Sequence, residues 1–198
     1  MVFHRISCVL TLVFLCLRLL FIMADVVSPE TRSRMMSGIR SVNTIPEMTV
    51  RKGLHARGFR FRIHHSSLPG KPDLVFPKYR AVIFVHGCFW HAHKCALFKW
   101  PKTREQFWKD KIEKNRIRDL AVMDELELQG WRVLLVWECA LKGKERRPSD
   151  EVVTSCATWL LSSSTKSEIR GKHAPVDTAI AHAKQRLPDD FLESTRSK

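Results

Sequence analysis

The stretch His86-Gly-Cys-Phe-Trp-His-Ala-His-Lys-Cys95 concentrates metal-binding side chains in one short segment. Five candidate ligands belong to it or follow later in the chain: Cys88, His91, His93, Cys95 and Cys139. Thiolate sulfur and imidazole nitrogen are the ligands that zinc prefers, and a closed structural site takes four of them. Cys139 follows an apolar run that is typical of a buried strand. The pattern therefore predicts a metal that fixes this loop to a sheet and leaves one imidazole free for proton transfer.

Two other interpretations of the cysteines stay open at this point. Isolated cysteines are often small buried apolar residues, and cysteine pairs form disulfides in oxidising compartments. The chain has six cysteines. In a reducing interior they would be thiols and metal ligands rather than disulfides.

The first 22 residues bear on that choice. Residues 8–22 form an almost continuous apolar run interrupted by Arg18. The run resembles a signal-peptide core with a poor cleavage site at Ala24, and it is shorter than the roughly 20 residues that span a bilayer. A third interpretation makes Met23 the native start and residues 1–22 translated upstream sequence. We favour the third, which predicts a cytoplasmic, nucleoid-associated protein, with export or membrane anchoring as the lesser alternative.

Positive charge dominates the composition. Lysine and arginine number 34 against 20 acidic residues, for a formal net charge of +14. Such an excess favours a polyanion partner, with duplex DNA or RNA ahead of a membrane surface. Residues 23–43 add a basic arm or short helix in which Met35 or Met36 offers an apolar tip. The tip could wedge between bases or simply dock on the domain, and we assign Met36 to the DNA contacts. A Gly-rich phosphate loop and a G-x-S-x-G elbow are both missing from the sequence, so nucleotide hydrolysis and acyl transfer lose their usual motifs.

Periodicity and capping signals predict an α/β layer with one mixed sheet. Thr44 and Glu47 form a capping box that opens a helix ending at Gly58. A second box at Thr103 opens a long basic helix that runs to Gly130. The predicted strands cover residues 59–63, 73–76, 81–86 and 131–139, and the second and third of them form a hairpin. A last helix is predicted over residues 150–161, followed by a flexible tail over residues 162–198.

The hairpin also predicts a magnesium site. Asp73 starts one strand and faces the end of the next, at Val85 and His86. Mg²⁺ asks the protein for only one or two carboxylates and keeps several waters, so Asp73 could bind it with the Val85 carbonyl. Glu47 could reach it through water, although the capping box already gives Glu47 a structural explanation. A neutral imidazole, His91 or His86, could then take a proton from the attacking water.

Three separated motifs resemble those of the very short patch repair (Vsr) DNA mismatch endonucleases. They are Leu68-Pro-Gly-Lys-Pro-Asp73, Val82-Ile-Phe-Val-His-Gly-Cys-Phe-Trp-His91 and Gly130-Trp-Arg-Val-Leu-Leu-Val-Trp-Glu-Cys139. The resemblance covers about residues 23–143. It implies a restriction-endonuclease-like mixed sheet flanked by helices, which makes residues 44–161 the endonuclease domain. The implied reaction is a Mg²⁺-dependent nick in duplex DNA, 5′ to the thymine of a T·G mispair left when 5-methylcytosine deaminates.

The resemblance also implies roles for individual residues. Asp73 resembles the magnesium-binding aspartate and His91 the catalytic histidine, with His86 and Glu47 in support. The implied ligands of a structural Zn²⁺ are Cys88, His93, Cys95 and Cys139. The implied DNA contacts, together with Met36 of the arm, are Phe89, Trp90, Trp108, Lys111, Asn115 and Arg118. Val85 stands where the family commonly has threonine, which matters little if the metal binds the backbone carbonyl.

The expected partners and the alternatives complete the prediction. We expect a monomer that acts on duplex DNA with a T·G mispair, has mismatch-repair proteins as candidate partners and uses no small-molecule cofactor. One alternative is a zinc-stabilised DNA-binding protein that has lost catalysis. Another is a general nuclease of the same fold.

Overall fold

The computed structural model describes residues 28–37, 42–63 and 65–173. The chain forms two compact units, residues 1–41 with 100–106 and residues 42–99 with 107–198. Helix α1, Pro29–Ser37, belongs to the first unit. Met36 lies on α1, but its side chain is outside the described part of the chain, as are the predicted leader over residues 1–22 and residues 174–198.

A four-stranded mixed sheet forms the centre of the second unit. Its strands are β1 (Leu74–Phe76), β2 (Ala81–His86), β3 (Arg132–Trp137) and β4 (Lys166–Ile169), in the order β1-β2-β3-β4. β1 is antiparallel to β2, whereas β3 is parallel to both of its neighbours. The predicted hairpin is confirmed, since Phe76 pairs with Ala81 across a tight turn. The predicted α/β layer with one mixed sheet is confirmed as well.

Four helices accompany the sheet: α2 (Ile45–Ala56), α3 (Glu105–Leu128), α4 (Glu138–Leu141) and α5 (Ser149–Leu161). The predicted capping box at the start of α2 is confirmed, because the Thr44 hydroxyl accepts from the Glu47 amide and the Glu47 carboxylate accepts from the Thr44 amide. The capping box predicted at Thr103 is wrong, because Thr103 does not lie at the N-cap position of α3. α3 begins only at Glu105, and Arg104 has a left-handed φ of 53°, so Thr103 does not adjoin the first helical residue.

Two apolar cores lie on opposite faces of the sheet. One face packs against α2 and α5, with Ile83, Leu134 and Val136 pointing into it. The other face packs against α3 and receives Val82 and Leu135. Successive side chains of a strand point to opposite faces, and a strand covered on both faces is apolar throughout. This explains the unbroken apolar run of β3.

The structure differs from the sequence-based expectation in three places. Residues 59–63 form only an isolated bridge between Arg62 and Val75, because Phe59 is buried against the rings of Phe76 and Tyr79 instead of continuing a ladder. Cys139 lies on α4 rather than at the end of β3. β4 occupies part of the stretch expected to be a flexible tail.

β4 escaped prediction because its sequence is polar. Of its four residues only Ile169 is buried, at 6% exposure. The backbone of the strand pairs with β3, from Val133 opposite Lys166 to Val136 opposite Ile169. An edge strand with one buried apolar side chain carries little periodic signal. Within the described ranges, no helix is long and apolar enough to cross a bilayer.

Candidate active site and metal centre

Four predicted ligands converge between the α3 face of the sheet and the loop after β2. The ligand atoms of Cys88, His93, Cys95 and Cys139 all lie within 4.8 Å of one another. The Nδ1 atom of His93 is 3.5 Å from the Sγ atoms of both Cys88 and Cys139. Cys88, His93 and Cys139 are fully buried, and Cys95 is partly exposed. Three sulfurs and one nitrogen in this arrangement fit the donor set of a closed zinc site.

Backbone contacts hold two of these sulfurs in place. The Cys139 amide donates to the Cys88 sulfur at 3.3 Å, and the Gly171 amide donates to the Cys139 sulfur at the same distance. Gly171 follows β4, so the unpredicted strand also supports the cluster. Amide donors of this kind orient a thiolate ligand and stabilise its charge.

The cluster already favours thiolate at one position. A hydrogen bond from Cys88, followed by those from His93 and Gly171, lowers the pKa of Cys139 to about 4 against the cost of burial. The same contact with Cys139, together with burial, raises the pKa of Cys88 well above its ordinary range. The two thiols therefore share one negative charge. A bound divalent cation would allow both to ionise, because thiolates are the form that binds metal.

His93 is oriented by stacking. Its ring lies parallel to that of Trp137, with centroids 4.1 Å apart and planes inclined by 9°. The Nε2 atom is buried and has no hydrogen-bond partner among the described residues. A ligating histidine usually donates its second N–H to an outer acceptor. In this protein the stacking contact with Trp137 fixes the orientation of the His93 ring instead.

Asp73 and His91 lie at the same end of the sheet. The Asp73 carboxylate accepts a hydrogen bond of 2.7 Å from the Val85 amide through Oδ2. The next residue, His86, stacks on His91 with centroids 3.9 Å apart and planes inclined by 6°. The predicted magnesium-binding carboxylate and the predicted base are therefore linked through two successive residues of β2.

His91 is paired with Asp119 of α3. Its Nδ1 atom contacts the Asp119 Oδ2 atom directly. An ionised carboxylate only accepts hydrogen bonds, so in a neutral His91 paired with it Nδ1 is the donor and Nε2 is left as an acceptor. As expected from the sequence, His91 lies outside the four-ligand cluster. The structure adds that Asp119 orients its ring. An oriented imidazole is better suited to proton transfer.

His86 is a neutral partner in this arrangement. Desolvation is the largest cause that holds the pKa of His86 well below its ordinary value of 6.5, and the positive charges of His91, when it is protonated, and of Arg118 act in the same direction. The group His86, His91 and Asp119 could hold a metal by composition and distance. However, the lone pairs of imidazole lie in the ring plane, so two parallel stacked rings do not aim at one ion. The geometry favours a hydrogen-bonded His91–Asp119 pair.

Three aromatic side chains predicted to contact DNA form one cluster next to the metal loop. The ring of Phe89 lies 5.2 Å from that of Trp90 and 5.3 Å from that of Trp108. The rings of Trp90 and Trp108 are 6.2 Å apart. All three side chains are partly exposed. An aromatic surface that is neither buried nor fully solvated is suited to stacking on bases.

The polar residues of α3 that are predicted to contact DNA lie near this aromatic cluster, although not all of them face solvent. Asn115 donates to the Trp90 carbonyl at 3.1 Å and accepts from Arg118 at 3.3 Å. Lys111 and Arg118 are exposed. Asn115 thus holds the loop that carries Trp90, and Arg118 is hydrogen-bonded to Asn115.

Glu47 is placed differently from the other predicted site residues. It is 2% exposed, its Oε2 atom accepts from the Thr44 amide at 3.2 Å, and its Oε1 atom is paired with Arg51. Both oxygens are engaged in these contacts, which supports the structural explanation. A catalytic role for Glu47 stays a prediction.

Asp119 was absent from the sequence-based set, yet a signal for it existed. The buried positions of α3 are Ile112, Met123 and Leu126. Asp119 lies four residues before Met123, on the same side of the helix. A carboxylate within an otherwise apolar stripe is expensive to desolvate, and it therefore points to a specific partner.

Comparison with known proteins identifies the family of the chain. A family model described as DNA mismatch endonuclease Vsr matches residues 24–97. The DNA mismatch endonuclease Vsr of Escherichia coli K12 is 44% identical over 160 residues, which cover 81% of this chain and 98% of that protein. The type II nicking enzyme V.XorIIP of Xanthomonas oryzae is 52% identical over 119 residues, or 60% of this chain and 88% of that enzyme. The type II nicking enzyme V.NmeAIP of Neisseria meningitidis is 46% identical over 62% of this chain and 87% of that enzyme.

The match to the Escherichia coli protein covers nearly its whole length, and that protein bears the name of the matched family. The names of these relatives describe enzymes that cleave DNA. The chain is a DNA-cleaving endonuclease and belongs to the Vsr DNA mismatch endonuclease family.

Proposed function

We propose that this chain nicks double-stranded DNA 5′ to the thymine of a T·G mispair in a Mg²⁺-dependent reaction. The observation that carries the proposal is the convergence of Asp73, His86, His91 and Asp119 beside an aromatic cluster, in a chain that belongs to the Vsr family. The names of several relatives as nicking enzymes support cleavage of one strand. The mispair and its origin in 5-methylcytosine deamination follow from the family resemblance.

In the proposed reaction His91 acts as general base. Its Nδ1 is held by Asp119, so Nε2 is the atom that accepts the proton of the attacking water. As His91 becomes charged, the Asp119 carboxylate stabilises it, while the partly buried His86 stacks on one face of its ring. His91 thus accepts the proton, and the Asp119 carboxylate compensates the positive charge that His91 gains.

Asp73 would hold the magnesium ion with the Val85 carbonyl. When bound, Mg²⁺ supplies charge stabilisation at the scissile phosphate. Asp73 fits this role as a partly buried carboxylate whose orientation is set by the Val85 amide. That contact uses only the backbone of Val85, so the side-chain difference from threonine leaves it intact. Glu47 belongs to the proposed support of this site through its buried position on α2.

Zn²⁺ is the proposed occupant of the Cys88, His93, Cys95 and Cys139 cluster. Its donor set and burial suit zinc better than harder cations. The cluster joins the loop after β2 to α4 and to the end of β4. Zinc would therefore hold the loop that carries His91, Phe89 and Trp90.

Recognition of the mispair is assigned to the aromatic cluster and the exposed basic residues of α3. Insertion of Phe89, Trp90 or Trp108 beside a base step costs a few kcal/mol of stacking, and a mispaired step opens more easily than a matched one. Lys111 and Arg118 would contact phosphates, and Met36 would contribute an apolar contact from the N-terminal arm. We propose a restriction-endonuclease-like core, a monomer, and action on chromosomal DNA in the cytoplasm.

The test is a nicking assay on end-labelled duplexes that carry T·G or T·A at one position. We expect a nick in the thymine strand of the T·G duplex only, and only with Mg²⁺. Equal cleavage of the matched duplex would instead indicate a general nuclease. Mispair binding without a nick at any Mg²⁺ concentration would indicate a DNA-binding protein that lacks catalysis.

Two substitutions test the catalytic assignment. Asp73→Ala and His91→Ala should each lower the nicking rate constant by at least about 10²-fold, since each removes a group that acts in the transition state. Binding of the T·G duplex, measured by fluorescence anisotropy, should change little. Normal turnover in either variant would remove that residue from the mechanism.

A further inference from the structure

Trp137, the last residue of β3, lies between the metal-binding cluster and the two stacked histidines. Its indole is parallel to the ring of His93, at 4.1 Å between centroids. It also makes near-perpendicular contacts with His86 and His91, at 5.6 Å and 6.3 Å. One side chain that is 2% exposed therefore contacts a predicted metal ligand and both active-site imidazoles.

The sheet fixes where this ring stands. Trp137 is the direct neighbour of His86 in the parallel ladder between β3 and β2. Neighbouring residues of a ladder point to the same face, so the two rings are held in contact by backbone pairing. The indole Nε1 atom also donates a hydrogen bond of 3.1 Å to the Glu168 carboxylate of β4. Glu168 is in turn paired with Arg170.

A large buried aromatic residue is usually only a filler of the core, and Trp159 provides the comparison. Trp159 is 6% exposed and packs in the core on the other face of the sheet. Its Nε1 atom is buried without a hydrogen-bond partner among the described residues. Trp137 differs because its indole N–H donates a hydrogen bond to Glu168 and because its ring contacts three imidazoles, whereas the Arg132 guanidinium lies over the ring of Trp159. Core filling alone does not require either feature.

We propose that Trp137 is a positioning residue, held by Glu168, that fixes the ring planes of His86 and His91 and couples them to the metal ligand His93. Asp119 holds only the Nδ1 side of His91. The ring plane of His91 is set by its stacking on His86, and Trp137 lies beside that stack, near-perpendicular to both rings. The inference rests on the proposed function, since it assigns His91 the task of accepting a proton.

Substitutions at Trp137 and Glu168 test the inference through kinetics. Trp137→Leu removes the ring, and the single-turnover nicking rate constant should fall roughly 10- to 100-fold, as expected for a misplaced catalytic group. Duplex affinity and bound metal per folded chain should stay near wild type. Trp137→Phe keeps a ring and should recover part of the loss. Glu168→Leu should slow nicking, whereas Glu168→Gln keeps an acceptor for Nε1 and should restore most of the rate.

Trp159→Leu is the matched control. It removes a buried tryptophan of the other core, so it should lower the melting temperature while leaving the rate constant of the folded protein unchanged. The inference is overturned if Trp137→Leu nicks at the wild-type rate constant. It is also overturned if the loss disappears once the rate is expressed per folded, metal-containing chain, because Trp137 would then act only through stability.

A second readout does not depend on cleavage. In protein labelled with ¹⁵N-histidine, the ring-nitrogen signals of His86 and His91 should shift or broaden in Trp137→Leu but not in Trp159→Leu. Unchanged signals would contradict the inference even if nicking were slower. If the wild-type protein failed to nick a T·G duplex, the proposed function would fall, and these spectra would still decide whether Trp137 orients the histidines. Should Trp137→Leu not fold, Trp137→Phe and the Glu168 pair decide the question by the same measurements.

Discussion

At the scale of single residues, the chemistry depends on how the side chains of ordinary residues are oriented. His91, the proposed base, is oriented by the Asp119 carboxylate, which holds its Nδ1 atom. Asp73 receives its orientation from the backbone of Val85. A preorganised site reaches the transition state without first ordering its groups. The properties that matter here therefore belong to pairs of residues.

Asp119→Asn should lower the nicking rate constant by about 10²-fold, the lower range of what an oriented acid or base contributes. The amide is neutral and cannot compensate the charge that develops on His91. Nicking of a T·G duplex under single-turnover conditions measures the effect, with Asp124→Asn on the same helix as the control. A rate constant within a factor of about two of wild type would show that the contact between His91 and Asp119 is not needed for catalysis.

Cys156 should be chemically silent in the native protein. Cys156 lies on α5, and burial of its side chain in the core raises the pKa of its thiol to about 12. Only the thiolate reacts quickly with alkylating reagents. Iodoacetamide at pH 8 should label Cys156 in urea but not in buffer, as read by peptide mass spectrometry. Because the unfolded chain loses this proton near its ordinary pKa of 9.0, the free energy of unfolding should fall as pH rises from 9 toward 12. Cys156→Ala should remove that part of the pH dependence.

At the scale of secondary structure, helix ends and strand register position the site. α2 begins with the Thr44 capping box, which engages the Glu47 carboxylate and leaves that carboxylate beside Arg51. β2 and β3 are parallel and in register from Ala81 opposite Arg132 to His86 opposite Trp137. The functional side chains therefore cluster where these two strands end.

Thr44→Ala should lower the free energy of unfolding by about 1 kcal/mol, the usual cost of losing an N-cap side chain. The hydroxyl accepts the Glu47 amide, which would otherwise be an unpaired donor of the first turn. Urea unfolding at constant metal concentration measures the change. Thr44→Ser keeps the hydroxyl and should stay within a few tenths of a kcal/mol of wild type. A loss in Thr44→Ser as large as in Thr44→Ala would mean that the methyl group, and not the cap, carries the effect.

At the scale of the whole molecule, the cluster of candidate metal ligands joins parts of the chain that are far apart in sequence. Cys88, His93 and Cys95 lie in the loop after β2, Cys139 lies on α4, and the amide of Gly171 supports it from beyond β4. Cross-links between distant segments stabilise a fold by restricting its unfolded state. The same cluster holds the loop that carries His91.

Cys139→Ala should lose bound zinc and lower the free energy of unfolding by about 4 kcal/mol, the scale of the largest single-residue losses. Metal content by mass spectrometry and urea unfolding, each with and without added zinc, measure the two effects together. Cys156→Ala is the matched control, since it also removes a buried cysteine but lies outside the cluster. One zinc per chain still bound in Cys139→Ala would show that Cys139 is not a ligand.

Much of the local structure was predictable because its signals lie within a few residues. The capping box at Thr44, the hairpin from Leu74 to His86 and the final helix all follow from short-range pattern. The ligand loop was visible for the same reason, since three of its four converging groups lie within eight positions of the sequence. β4 was missed because a polar edge strand has almost no apolar periodicity.

The amino-acid sequence by itself determined which side chains could do chemistry here: a cysteine and histidine cluster, an aspartate before a hairpin, a pair of adjacent aromatics and a family resemblance. Only the tertiary structure decided which of them meet. Asp119 reaches His91 because α3 packs on one face of the sheet, and Trp137 meets His86 because β2 and β3 pair in that register. Contacts between segments that are distant in sequence arise from packing and register, and neither is encoded in any local pattern.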